Sequence, residues 1–286
     1  MQANNLIEEQ LNKFNEQLGL HCKADVLAYA GSLLVGADEF IRDGVDSIQQ
    51  KKERLVFVLE TGGGYIEVVE RIVNTLRHNY KEVDFIVPNY AMSAGTVLVM
   101  SGDAIYMDYF SVLGPIDPQI PRRDKLQVPA LGYLIQYERL LKKSAEGSLT
   151  TGEMAILLRF DQAELYSIEQ SRELSIALLK DWLVRYKFKN WIVTETRKRK
   201  VTLKMRTARA ATVGKKLNDT SLWHAHSRNI SMDVLRKDLN LKIEDFGEDA
   251  ELSKTIRSYH RLLVDYMQKL GYSGFLHIQG KHVPIS

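Results

Sequence analysis

The first half of the chain alternates between short apolar runs and longer amphipathic segments. Apolar runs rich in β-forming residues occupy 24–31, 54–60 and 83–89, and segments with helical periodicity lie between them at 37–52 and 65–79. This order predicts a parallel sheet whose strands are joined by right-handed helical crossovers. Because the strands are apolar almost throughout, we expect helices to cover both faces of the sheet.

The rest of the chain is predicted to be mostly helical. After Ser93 the pattern predicts a short buried helix, strands at 104–107 and 111–114, and an extended loop over 115–129, which holds four of the six prolines. A turn or strand at 222–231 and a terminal strand within 274–286 are also predicted. The other predicted helices lie at about 3–19, 130–143, 151–187, 203–217 and 251–271, with a short helix capped by Ser231.

Composition places the chain among ordinary globular proteins. Of its 286 residues, 45% are hydrophobic and 26% are charged, and the net charge of +3 is too small to indicate nucleic-acid binding by itself. Its single cysteine, Cys22, excludes an intrachain disulfide and favours a reducing compartment. The N-terminal residues do not resemble a secretory signal, and no apolar stretch is long enough to span a membrane. We therefore expect a cytoplasmic protein without membrane association.

Three consecutive glycines follow the second predicted strand, in LETGGGYIEVVERI (59–72). Glycine brings bare amide N–H groups close to a ligand, and the start of the following helix adds partial positive charge. This glycine corner, residues 61–64, is therefore suited to a phosphate or to the oxyanion of a tetrahedral acyl intermediate. The GxGxxG and P-loop patterns are both absent. A plain tight turn between strand and helix is the alternative interpretation.

A lone serine, Ser93, follows the third predicted strand, in PNYAMSAGTVLVMSGD (88–103). It is either the N-cap of the next helix or a nucleophile, although the G-x-S-x-G pattern is absent. The small residues Ala94 and Gly95 complete this serine corner, residues 92–95, and leave room for a close approach. Because the carboxyl ends of neighbouring parallel strands meet at the ligand-binding edge of an α/β sheet, we expect the two corners to lie side by side.

The two corners together resemble a known family. ETGGGYIEVVERI followed by AMSAGTVLVMSGDAIYMDYFSVLGPI is similar to the Clp/crotonase-fold serine peptidases, which include the Clp proteolytic subunit, signal peptide peptidase A and the serine dehydrogenase proteinases. The resemblance covers roughly 24–120 and resumes at 226–243, and Gly62 stands where the family most often has proline. It implies a Clp/crotonase-like α/β fold, with stacked ββα units around a parallel sheet and additional helices.

The resemblance also implies catalytic roles. Ser93 would be the nucleophile, and the backbone N–H groups of Gly63 and Ala94 would form the oxyanion hole, with no metal and no other cofactor. The Clp subunit takes the serine proton with a histidine, but the corresponding region here, GPIDPQI, holds Asp117 and no histidine. Signal peptide peptidases use a lysine in a YKSA-like context. In LLKKSAEGSLTTGEMA (140–155) that lysine is Lys143, fifty residues after Ser93.

The identity of the base has several candidates. Helical periodicity places Lys142 on the same face as apolar residues of its helix, whereas the motif favours Lys143, and we follow the motif. Either lysine must be desolvated, or lie beside another cation, to be neutral at pH 7. For both, a solvated helix end is the alternative interpretation. His226, and with it His224, is a further candidate base or orienting residue, and a half-buried turn histidine is the alternative there.

The stretch RKRKVTLKMRTARAATVGKK (197–216) contains nine Lys and Arg residues and no acidic residue. Such a run attracts nucleic acid or an acidic partner. It lacks interleaved aromatic residues for stacking on bases, which favours a solvated helix face instead.

We therefore expect a cytoplasmic serine endopeptidase that cleaves peptide or protein substrates through a Ser-Lys dyad and assembles into homo-oligomers. The expected organisation is an N-terminal helix (1–20), a Clp/crotonase-like peptidase domain (21–250) with a basic helical insertion at about 185–220, and a C-terminal oligomerisation element (251–286). The rival hypotheses are a crotonase-type acyl-CoA enzyme on the same fold, and a non-catalytic scaffold that binds nucleic acid or a partner through the basic stretch.

Overall fold

The computed structural model describes residues 3–121, 127–223, 225 and 228–285. The helices are α1 Ala3–Cys22, α2 Ala37–Asp46, α3 Ile66–Asn79, α4 Ala94–Val99, α5 Ala130–Ala145, α6 Thr151–Leu157, α7 Gln162–Trp182, α8 Leu203–Leu217, α9 Thr220–Trp223, α10 Met232–Lys237 and α11 Ala250–Lys269. The strands are β1 Asp25–Ala30, β2 Arg54–Glu60, β3 Glu82–Ile86, β4 Tyr90–Ala91, β5 Ala104–Met107, β6 Val112–Leu113, β7 Gln119–Pro121, β8 Gln127–Pro129, β9 Ile230–Ser231, β10 Glu244–Asp245, β11 Gly274–Ile278 and β12 Lys281–Ile285. A π-helix, Leu183–Lys187, continues α7, and a 3₁₀ turn, Phe246–Glu248, precedes α11.

A mostly parallel sheet forms the centre of the molecule. Within the described ranges its strand order is β10–β5–β3–β2–β1–β11–β12. The strands from β10 to β1 run parallel, and the C-terminal hairpin of β11 and β12 adds antiparallel strands beyond β1. A smaller sheet, β4–β6–β9, lies after the end of β3. The predicted α/β fold with a parallel sheet is therefore confirmed.

Helices cover both faces of the sheet, as the apolar strands predict. Along β2, the side chains of Leu55, Phe57 and Leu59 belong to one buried cluster, which includes residues of α2, α3, α4, α7 and α8. The intervening Val56 and Val58 belong to the other cluster, which is formed with α1 and α11. Alternate residues thus face opposite layers, and both layers are apolar, which explains the uninterrupted apolar run. No helix in the described part of the chain is both long and apolar enough to cross a membrane.

The structure corrects the prediction of one long helix over 151–187. Helix α6 ends at Leu157, and α7 begins after Asp161, whose carboxylate accepts hydrogen bonds from the N–H groups of Ala163 and Glu164 at 2.8 and 3.2 Å. Asp161 therefore acts as an N-cap inside a stretch whose helical periodicity continues without a break.

Three smaller predictions also need correction. The proline-rich loop contains a short antiparallel pair, β7 with β8. The predicted single terminal strand is the hairpin of β11 and β12, which extends the central sheet. Ser231 precedes α10, but its side chain makes no capping hydrogen bond. Within this chain, α11 packs on the central sheet and the hairpin extends it. The oligomerisation role of the C-terminal region stays a prediction.

Candidate active site

The glycine corner and the serine corner are in direct contact. The Thr61 N–H donates to the carbonyl of Tyr90 at 3.1 Å, and the Met92 N–H donates to the carbonyl of Thr61 at 2.9 Å. These bonds continue the contact between the two chain segments past the end of the β2–β3 ladder, whose last pair is Val58 with Ile86. The expectation that the corners lie side by side at the carboxyl ends of β2 and β3 agrees with this geometry.

Gly63 brings the two corners together because it has no side chain. Its φ is +101°, in the region that L-residues with a side chain rarely adopt. A Cβ placed on it would lie 2.8 Å from the Met92 carbonyl oxygen, 2.9 Å from the Ser93 Cβ and 3.4 Å from the Ala94 nitrogen. The backbone of Gly63 therefore packs directly against the serine corner.

Ser93 occupies a strained turn between strand and helix. Its φ and ψ are 53° and −121°, which is unusual for a residue with a Cβ, and α4 starts at the next residue. Its side chain makes no capping hydrogen bond, so it does not act as an N-cap side chain for α4. The hydroxyl makes no hydrogen bond with any residue that the structure describes, and Ser93 is half-buried. The geometry leaves this hydroxyl available to a ligand.

Two backbone amides lie beside Ser93 and differ in their bonding. The Ala94 N–H is the first of α4 and has no acceptor within the helix. The Gly63 N–H donates to the side-chain oxygen of Thr61 at 3.1 Å, and Thr61 is 1% exposed. Sequence reasoning missed Thr61 as the acceptor at this amide, because a threonine before three glycines carries no distinctive pattern.

The helix that carries Ser93 is fixed by a buried threonine. The Thr96 hydroxyl lies 2.8 Å from the carbonyl oxygens of Ala91 and Gly114, and it accepts a bond from the Gly114 N–H at 3.1 Å. Because Thr96 is completely buried, these bonds have no competition from water. They hold α4 against the segments that flank the serine corner.

The structure does not join either candidate lysine to Ser93. The Lys143 ammonium lies 2.5 Å from the Glu153 carboxylate, which also closes the N-terminal capping box of α6 with Thr150. The hydrogen bond from Lys143, with those from Thr150, lowers the pKa of Glu153 to about 2. Lys142 is 79% exposed and lies 3.9 Å from Glu146. In this arrangement the carboxylate neighbour of Lys143 lies on α6, and that of Lys142 directly follows α5.

The other residues singled out in the sequence are two histidines, Asp117 and the basic stretch. His224 and His226 lie outside the described residues. Asp117 is buried, with 1% of its surface exposed. In the basic stretch, residues 197–200 are exposed and form the second arm of a short hairpin, in which Val193 is paired with Lys200.

A hydrogen-bonded pair of Glu60 and His260, directly before the glycine corner, was not anticipated. Glu60, the last residue of β2, lies 2.8 Å from the Nε2 atom of His260 on α11, and it accepts a hydrogen bond of 2.8 Å from Asn89. The side chains of Glu60 and His260 are only 10% and 13% exposed. No local motif could have indicated this pair, since the two residues are 200 positions apart.

Comparison with known proteins gives one family match and two curated relatives. The family model described as ClpP-like SDH-type serine proteinase matches residues 41–235. Two uncharacterized proteins of Methanocaldococcus jannaschii are 33% identical over 124 residues and 39% identical over 70 residues. The matches cover 43% and 24% of this chain, and only 38% and 24% of the relatives' own length.

Several solved structures are similar at low sequence identity. A serine-to-alanine mutant of the 1510-N membrane-bound stomatin-specific protease is 13% identical, with a TM-score of 0.47, over 80% of this chain and 82% of that one. A lysine-to-alanine mutant of the same protease in complex with a substrate peptide is 14% identical, with a TM-score of 0.45, over 92% and 88%. ClpP1 from Listeria monocytogenes is 9% identical, with a TM-score of 0.41, over 83% and 94%.

The family match decides the assignment. It extends over more than half of the chain, and it includes the glycine corner, the serine corner and helices α5 to α8. The chain belongs to the family of ClpP-like SDH-type serine proteinases.

Proposed function

We propose that this chain is a serine endopeptidase in which Ser93 is the nucleophile. The Ser93 oxygen attacks the carbonyl carbon of a peptide bond, and its proton passes to a base. The tetrahedral intermediate expels the amine, which takes up that proton, and leaves an acyl-enzyme ester on Ser93. Water then attacks the ester carbonyl and gives a proton to the base. The second tetrahedral intermediate expels the Ser93 oxygen, which takes up that proton, and the carboxylic acid product is released.

The observation that carries this proposal is the contact between Gly63 and Ser93. It combines a half-buried serine whose hydroxyl has no hydrogen-bond partner among the described residues, a strained backbone at that serine, and two amides beside it. A helix cap or a simple turn would not require all of these features together. Amides held in this way stabilise negative charge that develops on the carbonyl oxygen.

We assign the oxyanion hole to the N–H groups of Gly63 and Ala94. The Ala94 N–H has no acceptor in its helix and is ready for this role. The Gly63 N–H must share or give up its bond to Thr61 when the oxyanion forms. A negatively charged oxygen is a stronger acceptor than a hydroxyl, so the exchange is favourable in the intermediate.

We assign the general base to Lys143, with Lys142 and His226 as the alternatives. In the structure Lys143 is paired with the Glu153 carboxylate and not with Ser93. The role therefore requires that Lys143 leave Glu153 and become desolvated beside Ser93, for instance when substrate enters. Rearrangement of α5 and α6 is thus part of the proposed activation.

The further expectations belong to the same proposal. Peptide or protein substrates, homo-oligomeric assembly and a cytoplasmic location fit a ClpP-like proteinase. The domain limits of 1–20, 21–250 and 251–286 also remain part of this proposal, as does the requirement for no cofactor.

The test is proteolysis of casein and of a fluorogenic peptide library by the parent and by Ser93→Ala. The parent should hydrolyse at least one substrate, and the variant should retain less than about 0.1% of that rate, as expected when a nucleophile is removed. Ser101→Ala is the matched control, because Ser101 is a buried serine whose hydroxyl donates to the Leu98 carbonyl. Full activity in Ser93→Ala would overturn the assignment.

A further inference from the structure

Helix α11 reaches across the sheet to the chain segment that leads into the serine corner. Arg257 on this helix donates to the Pro88 carbonyl at 2.6 Å and also pairs with the carboxylate of Asp108. His260, one turn later, pairs with Glu60 at the end of β2. The helix therefore contacts both chain segments that continue into the two corners.

The Glu60 carboxylate connects those segments directly. One oxygen, Oε2, lies 2.8 Å from both the side-chain Nδ2 atom of Asn89 and the Nε2 atom of His260. Glu60 is immediately followed by the glycine corner, and Asn89 is separated from the serine corner only by β4. The bond between Glu60 and Asn89 thus links the two chain segments that lead into the glycine corner and the serine corner.

This link lies where the sheet itself no longer holds the segments together. The β2–β3 ladder ends at the pair Val58 and Ile86, and the backbone contact resumes only through Thr61. Between these points the Glu60 side chain is the described polar link from β2 to the segment 87–89. It lies in a nearly dry site, where hydrogen bonds to a carboxylate are stronger than at the surface.

We propose that Glu60 and Asn89, oriented by His260, are positioning residues that set the distance between the Gly63 amide and the Ser93 hydroxyl. This inference rests on the proposed function, since it concerns the nucleophile named there. None of the three side chains touches the reacting atoms. Their effect is to fix the geometry of acylation, so it falls on the rate of the chemical step and not on binding.

The experiment measures inactivation of the whole 286-residue chain by a fluorophosphonate probe, with the limiting rate constant kinact and the half-saturation constant KI determined separately. Glu60→Ala and Asn89→Ala should each lower kinact by about tenfold to a hundredfold, because small displacements of reacting groups have effects of this size. KI should not change. Glu60→Gln keeps an oxygen acceptor for both donors and should restore most of kinact.

A double variant distinguishes the loss of the Glu60–Asn89 hydrogen bond from general destabilisation of the protein. If Glu60 and Asn89 act through one bond, Glu60→Ala combined with Asn89→Ala should be no slower than the slower single variant. The matched control is Asn15→Ala, which removes bonds to the Tyr259 hydroxyl and the Val26 carbonyl on the same face of the sheet. It should lower Tm and leave kinact unchanged.

The outcomes separate this inference from the proposed function. A parent that the probe does not label contradicts the proposed function itself. A parent that is labelled, with kinact unchanged in Glu60→Ala and Asn89→Ala, overturns the inference alone. Multiplicative losses in the double variant, or an equal loss in Asn15→Ala, would likewise overturn it.

Discussion

The backbone of Gly63 lies against the side chain of Ser93, so that a Cβ on the glycine would sit 2.9 Å from the Cβ of the serine. Real Cβ atoms do not approach other carbons this closely without displacement. The glycine is therefore required both for its positive φ and for the contact itself. This contact brings together the two parts of the proposed catalytic machinery.

Replacement of Gly63 by alanine should destabilise the protein and abolish its reactivity. We expect a loss of about 1–3 kcal/mol in the free energy of unfolding, from backbone strain and the displaced serine corner. Urea denaturation and probe labelling of the same preparation measure the two effects.

Gly62→Ala is the matched control for this substitution. A Cβ on Gly62 would meet no atom within 4 Å, and the residue does not have a positive φ. It should change the free energy of unfolding by less than about 0.5 kcal/mol, as is usual for exposed positions. Normal labelling of Gly63→Ala would show that the contact is unimportant for reactivity.

Replacement of Lys143 by methionine should lower kcat by about 10²- to 10⁴-fold, the usual contribution of a general base. Lys142→Met is the matched control, because it makes the same replacement at a side chain that is exposed to solvent. The kcat of this variant should match that of the parent. Steady-state kinetics on a fluorogenic peptide measure both. A larger loss in Lys142→Met than in Lys143→Met would transfer the role to Lys142, and no loss in either would direct attention to His226.

Replacement of Glu153 by glutamine should raise kcat/KM. The variant removes the ion pair that holds Lys143 against α6, so Lys143 can reach Ser93 more readily. Steady-state kinetics on a fluorogenic peptide measure this. Glu146→Gln, which removes the neighbour of Lys142, should leave kcat/KM unchanged. An unchanged kcat/KM in Glu153→Gln would contradict the proposed activation.

The buried histidine of β11 should make the protein less stable in mild acid. Burial lowers the pKa of His277 to about 4, and the nearby His282 adds to the effect. The unfolded chain binds this proton near pH 6.5, so the contribution of His277 is fully present above about pH 6.5 and is lost as the pH falls towards 4. The loss amounts to about 3 kcal/mol in the free energy of unfolding, from 1.36 kcal/mol per pKa unit.

Urea denaturation at several pH values between 4 and 7 tests this titration. His277→Asn removes the titrating group and retains a polar atom near Nδ1, which lies 2.6 Å from the Tyr259 hydroxyl. The stability of this variant should depend less steeply on pH over the same window. Equal slopes for the parent and the variant would contradict the assignment.

Much of the fold follows from periodicity, and the departures from it have local causes. The alternation of apolar runs and amphipathic segments predicted β1, β2 and β3 and the helices between them, because their burial is set by a two-sided core. The break between α6 and α7 was missed, since Asp161 caps a helix inside an otherwise continuous pattern. Edge pairing of β11 with β1 was not predicted either, because partner choice among strands is a tertiary property.

The candidate site divides in the same way. The proximity of Ser93 and Gly63 is predictable from sequence, because turns between strands and helices depend on nearby residues and the two turns follow neighbouring strands. The link from Glu60 to His260 joins distant parts of the chain, and the pairing of Lys143 with Glu153 depends on how α5 meets α6. Neither contact leaves a pattern that a single sequence can display.

Mass-spectrometric mapping of the fluorophosphonate adduct on the native protein tests the central claim most directly. The account predicts one modified peptide, with the adduct on Ser93, and no adduct in Ser93→Ala. An unmodified protein at saturating probe, or an adduct on another serine that persists in Ser93→Ala, would contradict it.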